Sequence, residues 1–442
     1  MSDQAFSRQL NRRGLFRIRP GLERIRAVLR ELGDPQKKGR VIHIAGTNGK
    51  GSVAAALESV LRAAGYRTGL YTSPHLVDLT ERIRMNGEPI SSALFLSLAA
   101  QVQAAEKSCR CRLTYFEFVT AVGFLAFDHN AVDLIVLECG LGGLWDATNT
   151  VEHPLATVIT SIGIDHQQWL GSNERAIALQ KAGILKHGVP VISGVRGGGH
   201  MVIARQSREN LSSLSQLDRD FGTEQGPVLW RQGRQQLHYW SKDGASCPFL
   251  FGLLGSHQAD NAAVTQRTLE MVQKQGFRIP LKAIQDGLQN VHWPGRFDLI
   301  FRTDGCPILF DGAHNPAAMR EFLHTLQESP FRNTQKSFVF STYRDKDYRT
   351  MAAMIQPMAE SIYLCSLPGS RALPMSDLRK AFKKGLARLS THKTSADAFD
   401  HASRETPYDG LLVVTGSLAL VGQLIKPWIN TKKSTVLEAD YA

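Results

Sequence analysis

The sequence predicts an α/β protein with two domains, each built on a mainly parallel sheet that helices cover. From residue 41 onwards, short runs rich in β-branched residues alternate with longer stretches of helical periodicity, which is typical of strands joined by crossover helices. This alternation breaks off near residue 194 and resumes after residue 295. The length of 442 residues also exceeds what one ordinary core uses, so we expect two domains.

We assign residues 1–293 to the first domain, an ATPase-type parallel sheet. Thr114 and Glu117 fit a capping box at the start of one of its helices, so Glu117 has a structural explanation before any functional one. The predicted strands are Val41–Ala45, Thr68–Thr72, Asp133–Cys139, Ala156–Ile162 and Val189–Ser193, and the predicted helices between them include Ser52–Ala64 and Thr114–Asp128.

The stretch from about 194 to 255 has no such rhythm, and we predict an irregular or antiparallel insert there. Two helices follow, around His257–Val272 and Leu281–Val291, and the Pro294-Gly295 pair marks the domain boundary. Residues 294–442 then form a smaller, Rossmann-like α/β domain. Its predicted strands are Ile308–Phe310, Ser337–Phe340, Ser361–Cys365 and Leu411–Val414.

Composition indicates a globular protein, and anionic small substrates explain its basic charge as well as nucleic acid does. Hydrophobic residues make up 43% of the chain and charged residues 21%, close to average values, and no run approaches the roughly 18 apolar residues of a membrane helix. The net charge of +12 is spread along the chain without a nucleic-acid-binding module. The six cysteines lack metal or redox spacing. We expect a cytoplasmic monomer that binds neither nucleic acid nor membrane.

A glycine-rich segment, Gly46-Thr47-Asn48-Gly49-Lys50-Gly51-Ser52, follows the first predicted strand and leads into a helix. In this context glycines let backbone N–H groups approach phosphate oxygens, while the helix N-terminus and Lys50 add positive charge. The strict Walker pattern fails at Ile44 and Gly51. We nevertheless predict a phosphate loop for ATP, against the alternative of a plain turn between strand and helix.

Polar side chains follow three further strands at the sheet edge where ligands collect. They are Ser73, Glu138 and His166, and the hydroxyl that usually holds Mg²⁺ would come from Ser73 or from Ser52. Hydroxyl and carboxylate oxygens beside a bound triphosphate suit Mg²⁺, which takes few protein ligands. Each residue also has a structural alternative, since Glu138 could cap a helix and His166 could be a packing residue. Lys181, from the sequence alone, is an ordinary solvated lysine at a helix end.

Together these segments resemble the folylpolyglutamate synthase and dihydrofolate synthase family of the Mur ligase superfamily. The resemblance covers nearly the whole chain. It rests on the segments 43–52, 72–76, 137–143, 146–149, 165–171 and 181–184, on His257-Gln258 with Asn261, and on Pro294-Gly295-Arg296, Asp311-Gly312-Ala313-His314-Asn315-Pro316, Asp345-Lys346-Asp347 and Thr415-Gly416-Ser417-Leu418.

The resemblance implies an ADP-forming ligase that joins L-glutamate to a pterin or folate acid through an acyl phosphate. It implies two Mg²⁺ ions, one held by Ser73 and Glu138 and one by His166, and a CO₂-derived carbamate on Lys181. It makes Lys50, Lys181 and His166 catalytic, and Asp146 and Ser417 substrate contacts. The implied ATP contacts are Gly46, Thr47, Asn48, Gly49, Lys50, Gly51, Ser52, Asn261, Arg296, Asp311 and His314.

Two positions depart from the family pattern. Leu144-Trp145 stands where the family usually has Arg and a small apolar residue, and Gln180 stands where it usually has Glu. The first departure lies beside Asp146, the implied pterin contact, so a diverged paralogue with a different pterin or a non-folate acid is one alternative. A nucleic-acid-dependent P-loop NTPase is another, from a different class, motivated by the loop and the basic charge.

Overall fold

The structure, a computed structural model, describes residues 10, 13–14, 19–244, 246–383, 385 and 387–428. The described residues divide into two compact units. Unit 1 takes those of Met1–Glu224, Leu237–Phe251 and Gln258–Val291, and unit 2 takes those of Gln225–Gln236, Gly252–His257 and His292–Ala442. The domain bounds 1–293 and 294–442 stay a prediction.

The central feature of unit 1 is an eight-stranded sheet in the order β4-β3-β2-β5-β1-β6-β7-β8. From β2 to β8 the neighbouring strands run parallel, while β3 and β4 add an antiparallel edge. The strands are β1 (Arg40–Ala45), β2 (Thr68–Tyr71), β3 (Ile83–Met85), β4 (Glu88–Pro89), β5 (Leu134–Glu138), β6 (Ala156–Ile159), β7 (Val191–Ser193) and β8 (Leu214–Gln216).

Fourteen α-helices are found among the described residues. They are α1 (Glu23–Glu31), α2 (Lys50–Ala63), α3 (Ser92–Ser108), α4 (Tyr115–His129), α5 (Gln167–Leu170), α6 (Glu174–Ala182), α7 (Gly198–Glu209), α8 (Ser256–Gln273), α9 (Leu281–Gln289), α10 (Pro316–Glu328), α11 (Tyr348–Ile355), α12 (Met375–Lys380), α13 (Ser395–Glu405) and α14 (Leu418–Ile425). None of the helices described is long and apolar enough to cross a membrane.

Two helices show why the sheet is covered closely. α4 begins with the predicted capping box, in which Thr114 and Glu117 exchange hydrogen bonds, and it buries nearly all of its side chains. Gly287 on α9 faces α2 so closely that a Cβ there would overlap the backbone of Val60. The helices therefore pack tightly on the strands, as a parallel sheet with two buried faces requires.

The stretch predicted as an irregular or antiparallel insert is partly regular, and the prediction is wrong for residues 198–216. There α7 and the parallel strand β8 continue the rhythm of the first sheet. The run Gly197-Gly198-Gly199 suggested a loop, but Gly199 is buried against Ile162, where a small residue permits close packing, and Val202 and Ile203 supply the apolar face. A separate three-stranded sheet follows, made of β9 (Phe221–Leu229), β10 (Arg234–Ser241) and β11 (Ser246–Phe251).

Unit 2 contains a six-stranded sheet in the order β12-β13-β17-β14-β15-β16. All neighbours are parallel except β12, which pairs antiparallel with β13 at the edge. Its core includes Phe322, Phe338 and Phe340. The strands are β12 (Asp298–Ile300), β13 (Ile308–Phe310), β14 (Lys336–Phe340), β15 (Ser361–Cys365), β16 (Arg388–His392) and β17 (Leu411–Thr415). The predicted fold class, an α/β parallel-sheet domain followed by a second α/β domain, is confirmed.

Candidate active site

The glycine-rich loop lies between the central strand β1 and the start of α2. The helix begins at Lys50, and its N-cap Gly49 has a φ of 85° and offers no side-chain hydrogen bond. A Cβ at Gly49 would overlap the side-chain oxygen of Asn261, so both the positive φ and the close approach require glycine. A helix N-terminus that no side chain caps is a site where backbone N–H groups bind an anion.

The segment after β6 holds this loop in place. The N–H of Thr47 donates to the carbonyl of Ser161 at 2.9 Å, and the N–H of Asn48 donates to Ser161 Oγ at 2.9 Å. Thr160 Oγ1 donates to the carbonyl of Asn48 at 2.6 Å. Thr160 and Ser161 were missed in the sequence analysis. Their position directly after a buried strand beside β1 was the signal that could have identified them.

Two lysines converge on one carbonyl of the loop. Lys50 Nζ donates to the carbonyl of Gly46 at 3.1 Å, and Lys181 Nζ donates to the same oxygen at 2.6 Å. Lys181 is only 4% exposed, and this burial, together with the charge of Lys50, lowers the pKa of its amine to about 7. The solvated lysine that the sequence alone indicated is therefore a buried amine, which is neutral in a large fraction of molecules near pH 7.

Ser73 and Glu138 lie together at the carboxyl edge of the sheet. The N–H of Ser73 donates to Glu138 Oε2 at 3.1 Å, while Lys50 Nζ lies 3.9 Å from Glu138 Oε1. Ser52, the other candidate hydroxyl, is 2% exposed and accepts a hydrogen bond from Gln258 at 3.3 Å. Because the N–H of Ser73 contacts the carboxylate, we favour Ser73 as the partner of Glu138.

His166 opens the short helix α5 with a left-handed φ of 52°. The backbone N–H of His166 donates to Asp165 Oδ1 at 2.8 Å, and the ring Nε2 lies 4.0 Å from the same oxygen. Within the part of the chain that the structure describes, no group of three or more His, Cys, Asp or Glu side chains could hold a metal ion. The prediction that His166 is a metal ligand therefore has no support from a cluster of three such side chains, and it stays a prediction.

Asp146 is buried at the start of a short 3₁₀ turn, Ala147–Thr150. Its carboxylate accepts hydrogen bonds from the N–H of Leu141 at 2.8 Å and from the Thr148 hydroxyl at 2.6 Å. Burial raises the pKa of Asp146, and these hydrogen bonds oppose that rise. The preceding Leu144 and Trp145 are 37% and 50% exposed, so two large apolar side chains face solvent beside this carboxylate.

In unit 2 the predicted residues gather around the loop after β13. Asp311 accepts hydrogen bonds from the N–H groups of Phe297 at 2.9 Å and Ala313 at 2.8 Å. Burial raises its pKa to about 6 in spite of the nearby Arg296. His314 Nδ1 contacts the carbonyl of Gly312 at 2.9 Å.

Ser417 lies at a different helix start in unit 2. It is the N-cap of α14, and its hydroxyl accepts a hydrogen bond from the N–H of Ala419 at 3.1 Å. Ser417 therefore has a structural role as a helix cap, in addition to the substrate contact that the sequence predicts.

Comparison with known proteins identifies the class of this chain. Residues 295–418 match the family model described as Mur ligase, glutamate ligase domain. The chain is 34% identical to the dihydrofolate synthase/folylpolyglutamate synthase of Bacillus subtilis, over 93% of this chain and 95% of that protein. A phosphate loop in one α/β unit and a Mur-type glutamate ligase domain in the next define an ATP-dependent acid–amino-acid ligase.

Solved structures match nearly the whole length of this chain. Escherichia coli FolC in complex with DHPP and ADP superposes with a TM-score of 0.87 at 29% identity, covering 98% of each chain. The bifunctional enzyme of Yersinia pestis, complexed with AMPPNP and Mn ion, gives a TM-score of 0.84 at 29% identity and covers 96% of this chain and 97% of that one. The chain belongs to the dihydrofolate synthase/folylpolyglutamate synthase family. These relatives give no support to a nucleic-acid-dependent NTPase or to a diverged paralogue.

Proposed function

We propose that this ligase adds L-glutamate to dihydropteroate, to reduced folates, or to both, with ATP as the energy source. The observation that carries the proposal is the loop at Gly46–Lys50, where Lys50 and Lys181 meet one carbonyl beside a helix N-terminus that no side chain caps. The charge of Lys50 and the N–H groups at the helix start concentrate positive potential where a triphosphate would lie, and Lys181 is available beside them as a neutral amine. The relatives are dihydrofolate and folylpolyglutamate synthases, which supports the acid and the amine.

The reaction then runs in two steps. A carboxylate oxygen of the acid attacks the γ-phosphorus of ATP, the bond to the β-phosphate oxygen breaks, and ADP leaves. Lys50 neutralises the charge that spreads over the transferred oxygens, and the N–H groups at the start of α2 bind the phosphates. The glutamate nitrogen next attacks the acyl carbon, so that a C–N bond forms, the C–O bond to phosphate breaks, and the nitrogen loses a proton. Asn261, which lies over Gly49, is the proposed adenine contact.

The residues at the carboxyl edge of the sheet fit a magnesium ion. Ser73 and Glu138 supply oxygen ligands, which Mg²⁺ prefers, and they are in contact in unit 1. We propose that they hold one Mg²⁺ and that His166 holds a second. When bound, Mg²⁺ would neutralise phosphate charge and orient the γ-phosphoryl group. A manganese ion accompanies AMPPNP in the Yersinia pestis relative, which supports a divalent cation as a partner of the nucleotide.

Lys181 has the properties that carbamate formation requires. Only a neutral amine attacks CO₂, and the buried Lys181 has a pKa of about 7 rather than 10.5. Attack forms an N–C bond, one C–O π bond opens, and the nitrogen loses a proton, which leaves a carbamate anion. An anion here would offset the charge of Lys50 and orient the groups around the phosphoryl site. We propose this modification on the burial and on the family resemblance.

The remaining substrate contacts rest on the family resemblance. We propose that the buried carboxylate of Asp146 contacts the pterin and that Ser417 contacts substrate. Arg296, Asp311 and His314 are the proposed ATP contacts of unit 2. In that unit, the carboxylate of Asp311 accepts two backbone N–H groups, so it is held rigidly.

The test is a reconstitution with purified enzyme, ATP, Mg²⁺, dihydropteroate and L-glutamate. We expect ADP, phosphate and dihydrofolate in equal amounts, with no ADP when either the acid or glutamate is left out. A parallel assay with tetrahydrofolate separates first glutamate addition from chain extension. ATP turnover that does not depend on acid and amine would contradict the proposal, and so would stimulation by DNA or RNA.

A further inference from the structure

A chain of buried polar groups runs from the middle of β1 to Asp146. His43 is fully buried, and its Nε2 lies 2.9 Å from Thr148 Oγ1 and 3.1 Å from Cys139 Sγ. Thr148, also fully buried, donates its hydroxyl proton to Asp146 Oδ1 at 2.6 Å, and the N–H of Thr148 donates to the same oxygen at 3.0 Å. Asp146 thus receives two of its hydrogen bonds from one threonine.

The hydrogen-bond geometry assigns the protons. A threonine hydroxyl has one proton, and the short contact to a carboxylate is the stronger hydrogen bond, so the proton points to Asp146. We assign the imidazole proton to Nε2, so that Thr148 Oγ1 accepts from His43, and the Cys139 thiol lies 3.4 Å from the same hydroxyl. Burial lowers the pKa of His43 to about 3, so the imidazole is neutral at physiological pH. The chain of donors therefore runs from His43 through Thr148 to the Asp146 carboxylate.

Packing alone does not explain this arrangement. The residues around His43 in β1, such as Val41, Ile42 and Ile44, are buried and apolar, as expected in a central parallel strand. A histidine there must be desolvated, and its Nδ1 has no hydrogen-bond partner among the described residues. A leucine at this position would fill similar space without that cost. Among the described residues, the cost of burying the imidazole is compensated only by the groups that its Nε2 contacts.

We propose that His43 and Thr148 are positioning residues, which fix the orientation of the Asp146 carboxylate for the acid substrate. The inference rests on the proposed function, in which Asp146 contacts the pterin. His43 and Thr148 lie behind Asp146 and act through it. Because both residues act through Asp146, we expect the loss of either hydrogen bond to affect the acid more than ATP.

The first experiment compares Thr148→Val with Thr148→Ser in steady-state kinetics. The valine variant keeps the shape and loses the hydroxyl, and we expect the KM for dihydropteroate to rise about tenfold, while the KM for ATP changes less than about twofold. The serine variant keeps the hydroxyl and restores the KM to within about twofold of the parent. Thr268→Val, which removes a buried hydroxyl that donates to the carbonyl of Val264 in α8, is the matched control and leaves both KM values unchanged.

A double-mutant cycle separates positioning from a general effect on folding. In an Asp146→Asn background the Thr148→Val substitution should add little, because its effect passes through the carboxylate. Equal, additive effects in both backgrounds would overturn the inference. If Asp146→Asn raises the KM for the acid but Thr148→Val does not, only the inference fails. If Asp146→Asn has no effect, the proposed pterin contact fails and the inference fails with it.

His43→Leu tests the same chain from its other end. It removes the Nε2 donor and is measured in the same assay, with the melting temperature recorded for every variant. A rise in the KM for the acid in His43→Leu supports the inference even where Thr148→Val does not fold. Loss of folding in both variants would overturn the inference, since a structural role would then account for the polar chain.

Discussion

The two units each contain a strand, a loop and a helix in the same order, but the loops are built differently. In unit 1 the first loop, residues 46–49, leads to a helix that no side chain caps. Its backbone is held by a residue outside the loop, since the N–H of Asn48 donates to Ser161 Oγ. In unit 2 the second loop, residues 311–315, is held by its own polar side chains. Asp311 accepts the N–H of Ala313 within the loop and that of Phe297 outside it, and Asn315 caps α10.

This difference indicates how each loop meets a ligand. The first loop leaves the N–H groups at the start of α2 to a phosphate, because Gly49 supplies no competing oxygen. The second loop uses the side-chain oxygens of Asp311 and Asn315 to bind backbone N–H groups, so it presents His314 as a side chain on a rigid turn. The side chain of Arg296, which precedes β12, lies against Gly312 of this loop. We therefore propose that the same topology gives a backbone site in unit 1 and a side-chain site in unit 2.

The largest expected effect comes from the first loop. Lys50→Ala removes the charge beside the Gly46 carbonyl, and we expect kcat to fall about 10²–10³-fold, as for the loss of one group that stabilises transition-state charge. ADP release at saturating substrates measures the fall. Lys282→Ala, in which the lysine side chain is 86% exposed, is the matched control and should keep full activity. Full activity in Lys50→Ala would remove the first loop from the mechanism.

Lys181 gives the next largest effect and tests the carbamate. Lys181→Ala should lose about a hundredfold in kcat and recover in part when acetate is supplied, because a small carboxylate can occupy the place of the carbamate. Lys50→Ala, its control, should show no recovery. In the parent enzyme, activity in CO₂-depleted buffer should fall as the pH drops below about 7, since protonation of Lys181 removes the amine that reacts with CO₂. A loss that acetate does not relieve would contradict the carbamate.

Much of the first sheet could be predicted from the sequence alone. The central strands were predicted to within a few residues, because buried parallel strands appear as continuous apolar runs. The antiparallel strands Ile83–Met85 and Asp298–Ile300 were not predicted, because each has only three residues and pairs through tertiary contacts. Gly198–Gly199 was taken for a loop, because low helix propensity concealed a glycine that packs against Ile162.

The candidate site divides in the same way. Sequence order placed Ser73 and Glu138 at strand ends, and the rule that ligands bind beyond those ends predicted their contact. The sequence alone did not predict that Lys181 is buried, because a lysine in the last turn of a short helix is usually solvated. Its contact with Gly46 depends on how α6 packs, which only tertiary structure determines. The residue roles themselves stay predictions until the variants above are measured.

The burial of Asp311 in the second loop should make the free energy of unfolding depend on pH. The folded-state pKa of Asp311 is about 6, above the usual 3.8, so the folded state binds more protons than the unfolded state between these values. Stability that Asp311 contributes below pH 3.8 is therefore lost as the pH rises through 6, on the order of 3 kcal/mol. Urea unfolding from pH 4 to 7 should show this loss in the parent and much less of it in Asp311→Asn. Asp304→Asn, an exposed aspartate of the same unit, should match the parent, and an unchanged pH profile in Asp311→Asn would contradict this effect of Asp311 burial.

The smallest effect tests the difference between the two helix starts directly. Asn315→Ala removes the side-chain oxygen that accepts from the N–H of Ala318, and loss of such a cap costs about 1 kcal/mol. We expect a melting temperature a few degrees lower, measured by circular dichroism. ADP should still raise the melting temperature by the same increment as in the parent, because the phosphates bind at the uncapped start of α2 and not at α10. If Asn315→Ala abolished that increment, the start of α10 would be part of the phosphate site, and the contrast between the backbone site and the side-chain site would no longer hold.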